Sequence, residues 1–322
     1  MSEKIVWILT DNRTGNNNQV IGLAENIGLP YLKKELKYNK FAKLPNKLKL
    51  FSFLGLDKNL STDLSPPYPD LIISAGRKAA AVAYRIKKLS QGKTKIVQLM
   101  DPEINYKYFD LIILPEHDNA DITKNPNIIT SFGALHKITD ANLLAARDVW
   151  QERFKDLPQT KISVLVGGTT KDGIFTNEHA KELAIKASDF AKKHNAGLLI
   201  TTSRRTPKEC IQILKDNILV PYYLYDAYNP EGENPYIGLL AVGDIIIASG
   251  DSVSMCTESL STGKPVYIYA PPELSKKKHQ LFHQRLLSGG YVKYLNNDAT
   301  LFAGKKINDT QRIANFIKER FL

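Results

Sequence analysis

Short apolar, β-branched runs alternate with helical patterns along the chain, and the alternation occurs twice. That pattern is the signature of βαβ units, which build a parallel sheet with helices on its faces. In the first half, Ile5 to Thr10 reads as a strand and Gln19 to Ile27 as a helix stopped by Gly28. Leu71 to Ser74 reads as a strand feeding an Ala-rich helix from Lys78 to Leu89, with further strands at Ile96 to Leu99, Asp110 to Leu114 and Ile128 to Ser131. Thr139 caps a helix from Asp140 to about Glu152. In the second half, Ile162 to Val166, Leu198 to Thr202, Asp244 to Ala248 and Val266 to Tyr269 are strands, and Asn177 to His194 and Val253 to Thr262 are helices. Thr206-Pro207-Lys208-Glu209 has the form of a capping box, a hydroxyl cap with Glu three residues later. The fold class expected is α/β, two doubly wound Rossmann-like domains facing a cleft. Polar, proline-bearing Phe154 to Thr160 reads as the linker. The domains expected are therefore 1–153 and 161–305, with an amphipathic C-terminal helix in 306–322 able to cross back to the first.

Composition excludes several classes. The 322 residues suit two cores at roughly 100 to 200 residues each. With 43% hydrophobic and 24% charged residues, there is no case for disorder. No run of about 18 apolar residues and no signal peptide is evident, so the expected location is cytoplasmic, with peripheral membrane contact as an addition. Cys210 and Cys256 fit neither a disulfide framework nor a zinc site. The formal net charge of +11 suits a polyanionic ligand, an anionic membrane or nucleic acid. No recognition motif supports nucleic acid, which is not expected as a partner. Eight lysines against two acidic residues in 33–58, interleaved with Phe41, Leu48, Phe53 and Leu54, fit an anionic bilayer or a solvated linker over a satellite core.

Ligands of doubly wound sheets collect at the carboxyl ends of strands. The most informative stretch there is Ser249-Gly250-Asp251-Ser252-Val253-Ser254, followed by Glu258. Gly250, Asp251, Ser252 and Ser254 lie between strand and helix, where backbone N–H groups and the helix dipole favour a diphosphate. Glu258 lies six residues past Ser252, roughly 9 Å along a helix, within reach of ribose hydroxyls. The plainer alternative makes Asp251 or Ser252 an N-cap and Glu258 a solvated helix residue. Ser203, Arg204 and Arg205 follow a strand, and one arginine is expected to bind phosphate while the other makes a structural pair. Gly167-Gly168 admits a phosphate or is simply a turn. In the first half, Asp11, Gly15 and Asn16 follow the first strand. Asp11 or His117 is a candidate general base, with Asp118 beside it. A metal at His117 and Asp118, with His136 as third ligand, is the lesser alternative, and no metal is expected.

The spacing from Ser249-Gly250 through Glu258 to Gly263-Lys264-Pro265 resembles the donor segment of GT-B glycosyltransferases, whose corresponding glutamate holds the nucleotide ribose. Asp11-Asn12-Arg13-Thr14-Gly15-Asn16 with Gln19, Ser74-Ala75-Gly76-Arg77, Pro115-Glu116-His117-Asp118, Gly133-Ala134-Leu135-His136, Gly167-Gly168, Thr202-Ser203-Arg204-Arg205-Thr206-Pro207, Asn234-Pro235-Tyr236 and Asp251-Ser252-Val253-Ser254-Met255 together resemble the plant elongated-mitochondria fission family and its bacterial relatives. Gly243, Gly250 and Ser259 depart from the residues expected there. The resemblance implies a GT-B-like protein that takes a nucleotide or nucleotide-sugar in the interdomain cleft and passes the sugar to an unidentified acceptor. No cofactor is implied beyond the nucleotide-sugar as substrate. A mitochondrial-fission-type adaptor without catalysis, or an epimerase or hydrolase using the same donor site, are the alternatives.

Overall fold

The computed structural model describes residues 4–50, 52–116, 123–171, 173–274, 277–296 and 300–322. His117 and Asp118 lie outside the described residues. The chain forms two compact units, one of residues 1–137 with 309–322 and one of residues 138–308.

The sheet of the first unit has the order β2-β1-β3-β4-β5-β6, all parallel. Its strands are β1 (Val6–Thr10), β2 (Tyr31–Glu35), β3 (Leu71–Ala75), β4 (Lys95–Leu99), β5 (Leu111–Pro115) and β6 (Ile128–Ser131). Side chains alternate between faces, so successive residues of β1 enter different cores. Trp7 and Leu9 pack with Ala79, Ala83 and Ile86 of helix α2 (Gly76–Leu89). Val6 and Ile8 pack with Val20, Leu23 and Ile27 of α1 (Thr14–Ile27) and with Ile313 and Ile317 of α9 (Asp309–Phe321). Helix α1 starts five residues before the expected Gln19 and ends at Gly28, whose φ of 73° suits glycine. Segment 33–58 joins this core through Leu36, Leu50 and Leu56, and buried Lys49 donates to the Ala42 carbonyl at 3.0 Å. Phe41, Leu48 and Leu54 in the same segment remain exposed.

The second unit carries the order β12-β11-β10-β7-β8-β9, again all parallel. The strands are β7 (Thr160–Leu165), β8 (Ala196–Thr201), β9 (Tyr222–Tyr225), β10 (Ile245–Ser249), β11 (Val266–Tyr269) and β12 (Val292–Tyr294). The helices are α3 (Asp140–Arg153), α4 (Asn177–Lys193), α5 (Lys208–Asn217), α6 (Tyr236–Val242), α7 (Val253–Ser261) and α8 (Lys277–Ser288). Thr139 does cap α3, in a reciprocal capping box with Asn142.

Two expectations are corrected here and one, the return of the C-terminal helix to the first unit, holds. The division falls after Lys137, not in 154–160, because α3 packs Trp150 and Phe154 against Leu239 and Val242 of the second unit. Residues 309–322 belong to the first unit, where Asp309 accepts from the Phe132 amide at 2.6 Å and Thr310 from the His136 amide at 3.1 Å. The capping box at Thr206 does not form, since the Thr206 hydroxyl is taken up by the Gly167 carbonyl and the Ser203 amide and no side chain caps α5.

Candidate nucleotide site

In an open parallel sheet, strand order reverses at one point, and the loops on either side of it diverge to leave a crevice at the carboxyl ends. In the second unit that point lies between β7 and β10. The stretches after these two strands are Val166-Gly167-Gly168 and Gly250-Asp251-Ser252.

They are tied together by Asp251, whose side chain is fully buried. Its Oδ1 accepts from the Ser249 hydroxyl at 2.7 Å, and its Oδ2 accepts from the Gly168 amide at 3.1 Å and from Arg205 Nη1 at 2.8 Å. The Gly167 amide donates to Ser249 Oγ at 2.7 Å, while the Ser203 and Thr206 hydroxyls donate to the Gly167 carbonyl. A Cβ on Gly167 would stand 2.3 Å from Asp251 Oδ2, and one on Gly168 would stand 2.2 Å from the Arg205 carbonyl. The two glycines therefore exist for close packing. Their amides are spent inside the chain, as is that of Gly250, which donates to Tyr269 at 2.8 Å. Asp251 and the amides of Gly167, Gly168 and Gly250 thus form the scaffold of the loop rather than an open anion cradle.

What stays open is narrower. Ser252 caps α7 by accepting from the Met255 amide, so the plainer N-cap alternative holds for that residue. Among the described residues, no acceptor meets the Val253 and Ser254 amides at the positive end of α7, and no acidic residue occupies its first turn. Of the arginine pair, Arg205 makes the structural ion pair, and Arg204 is exposed with no hydrogen bond or ion pair from its side chain among the described residues.

Glu258 lies further along α7. The Tyr236 hydroxyl, on the first residue of α6, donates to Glu258 Oε2, while Oε1 has no partner among the described residues. Burial pushes the Glu258 carboxyl up to about 7, opposed by the Tyr236 hydrogen bond. Burial, and next the Glu258 charge, push the Tyr236 phenol well above its usual value, so it remains a donor. Tyr236 belongs to a motif noted above, yet nothing in the spacing pairs it with a residue 22 positions on. One further group had no signal in the sequence. His283 of α8 is 1% exposed, with Nε2 3.1 Å from where a Gly250 Cβ would stand. Burial, then His279, pulls it down to about 4. Glycine fits at positions 250 and 243 because a Cβ would meet Ala270 and His283 at the first and the Ser163 hydroxyl at the second.

The first-unit candidates form a separate cluster. Asp11 Oδ1 accepts from the Arg13 amide at 2.8 Å, and Gly15 and Asn16 lie in the first turn of α1.

The profile of the family described as Mitochondrial fission ELM1 matches residues 14–321. The uncharacterized protein RP120 of Rickettsia prowazekii (strain Madrid E) is 33% identical over 97% of this chain and 97% of its own length. Mitochondrial fission protein ELM1 of Arabidopsis thaliana is 28% identical over 78% of this chain, a match that spans 63% of the Arabidopsis protein. Among solved structures, UDP-GlcNAc 2-epimerase from Neisseria meningitidis bound to UDP-GlcNAc is similar with a TM-score of 0.50 and 14% identity, covering 98% of this chain and 92% of the epimerase. That likeness is one of fold, two Rossmann-like units of the GT-B-like kind. By the near-complete span of its profile, the chain belongs to the mitochondrial fission ELM1 family.

Proposed function

We propose that the second unit binds a nucleotide-sugar, with the diphosphate at the start of α7 and on Arg204 and the ribose on Glu258, and that the protein passes the sugar to a hydroxyl acceptor. The observation that carries the reading is the half-used Glu258 carboxylate. Tyr236 holds Oε2 and leaves Oε1 without a partner, on the helix that follows the strand-order reversal. A carboxylate oxygen in that state accepts hydrogen bonds from ribose hydroxyls. The fold shared with an epimerase bound to UDP-GlcNAc supports the choice of ligand class. In the transfer, the acceptor oxygen forms a bond to the anomeric carbon and the bond to the diphosphate breaks. The diphosphate leaves with the electron pair and is stabilised by the α7 start and Arg204. The acceptor's proton passes to a general base. An epimerase or hydrolase would use the same nucleotide contacts.

The test is UDP-GlcNAc binding followed by thermal shift and calorimetry. At 100 times its dissociation constant, a ligand of the native state adds roughly 2.7 kcal/mol of stability. Glu258→Gln keeps an acceptor for Tyr236 but loses the charge, and charge-assisted hydrogen bonds contribute about 1.5–3 kcal/mol each, so affinity should fall tenfold or more. Unchanged affinity in a well-folded Glu258→Gln protein overturns the ribose assignment. The name of the Arabidopsis relative supports one competing reading, a fission adaptor without catalysis. Failure of a panel of nucleotides and nucleotide-sugars to shift melting would favour it.

A further inference from the structure

The sheet of the first unit has its own reversal of strand order, between β1 and β3. Both strands run directly into helices there, β1 through Asp11 to α1 and β3 into α2. Neither helix start is capped by a side chain, and neither first turn holds an acidic residue. The two starts converge. Where a Cβ on Gly76 would stand, Asn16 Nδ2 is 3.0 Å away and Arg13 Nη1 3.6 Å, and Gly76 has a φ of 72°. Two positive dipole ends and a guanidinium therefore share one small region, where Asp11, paired with Arg13, supplies a carboxylate on one side.

Buried polar atoms beside this region lack partners. Thr10, 2% exposed, has no hydrogen bond to Oγ1, and Asp11, 7% exposed, has none to Oδ2. Asp11 Oδ2 is directed at the same guanidinium, 3.6 Å from Arg13 Nε. The Tyr38 hydroxyl is also buried without a partner, and Lys78 Nζ lies over its ring, 4.9 Å from the centroid. Burial first, and then the Asp11 charge, push the Tyr38 phenol up, with Arg13 opposing, so it stays a donor. Buried polar atoms are nearly always satisfied, and a set of orphans at a strand-order reversal points to a group supplied from outside.

We infer that this region is a ligand site of the first unit for a phosphate ester that carries a hydroxyl, with the phosphate between the starts of α1 and α2 on Arg13 and the hydroxyl between Tyr38 and Asp11. The donors suit the anion, because backbone amides at helix starts and a guanidinium all donate. Asp11 Oδ2, which shares the ion pair with Arg13 but accepts no hydrogen bond, suits the hydroxyl, because a hydroxyl has a proton to donate. The site goes beyond the nucleotide contacts on α7 and stands without them.

The experiment follows backbone amide resonances of the full chain during titration with inorganic phosphate and with glycerol 3-phosphate. Saturable shifts are expected at Gly15, Asn16 and Gly76, with glycerol 3-phosphate binding more tightly than phosphate. Arg13→Gln should weaken both about tenfold, the loss of one charge-assisted contact. Tyr38→Phe should erase the preference for glycerol 3-phosphate while leaving phosphate affinity intact. Glu258→Gln should leave phosphate binding at these amides unchanged, and Arg13→Gln should leave UDP-GlcNAc binding unchanged, so this site and the nucleotide reading can fail separately. Competition by phosphatidylglycerol vesicles would identify a lipid headgroup as the source, and its absence a soluble ester. Shifts that do not saturate, or that spread over the lysine-rich 33–58 segment and persist in Arg13→Gln, overturn the site.

Discussion

Asp251 shows how a loop at a ligand crevice is held by a residue that never needs to meet the ligand. Its carboxylate takes donors from the end of its own strand, Ser249, and from two other loops, Gly168 and Arg205. Asp251→Asn keeps the shape but removes the partner of the Arg205 guanidinium and turns one acceptor into a donor facing an amide or guanidinium. With Arg205 partly exposed, the expected loss is roughly 1–3 kcal/mol, read as a lowered denaturation midpoint. An unchanged midpoint would remove Asp251 from its scaffold role. Glu258 makes an opposite kind of statement. Its folded-state value of about 7 stands above the ordinary carboxylate range, so the folded chain holds its proton longer than the unfolded chain. Its contribution to stability is therefore highest below about pH 4.5 and declines as pH rises to about 7. Glu258→Gln should flatten that decline. In the proposed function Glu258 binds the ribose in its ionised form, so affinity for UDP-GlcNAc, a diphosphate diester with no ionisation of its own in this range, should rise from pH 6 to pH 8 in the native chain and not in the variant. Glu258 was legible because it follows a strand-loop-helix stretch at a fixed helical distance. Tyr236 was not, because its partner lies on a separate helix and only folding brings them together. The sequence likewise displays Asp251 between Gly250 and Ser252 without showing that its carboxylate turns inward.

Among the elements, α3 and α6 make the tightest fit. Gly238 lies under the Trp150 indole, with the ring carbon Cγ 2.2 Å from where a Cβ would stand. Gly238→Ala must push a buried indole aside, and overpacking of this kind costs about 1–3 kcal/mol, visible as a lower melting temperature with unchanged secondary structure. Melting equal to the native chain's would mean that α3 can shift freely. Lys264 holds the other end of α6, donating to the Leu240 and Ala241 carbonyls at 2.7 Å each, and burial lowers it to about 8. Central strands were readable almost to the residue, since strands covered on both faces become continuous apolar runs. Strands β2 and β9 were missed for the same reason reversed. They form sheet edges, and β2 carries Lys33 and Lys34 and only half-buried or exposed side chains. Helix α6 was missed because seven mostly buried residues show no polar face from which a period could be read. The motif at Thr206 marked the start of α5 correctly but not the capping bond, because a hydroxyl before a proline serves a neighbouring carbonyl as readily as its own helix.

At the scale of the molecule, two units of one sheet type each place the reversal of strand order under the loops that the sequence singled out. The linker could not be read from composition, because Phe154 and Leu157 lie in a polar stretch yet pack with the second unit. The first unit is discontinuous in the chain: α9, its last helix, covers α1, with Ile313, Ala314 and Ile317 wholly buried. Burying each isoleucine contributes roughly 1.5–3 kcal/mol, a large share of a domain's net stability. The ribosome makes these parts in an order that the fold does not follow. Residues 138–308 contain a whole sheet and can close as soon as they emerge, whereas the sheet begun at the amino terminus waits for the final helix. Nascent chains arrested with 309–322 still in the exit tunnel should therefore resist protease in the second unit while remaining cleavable in the first. Equal protection of both would refute it. Of the two units, the one begun first is the one finished last.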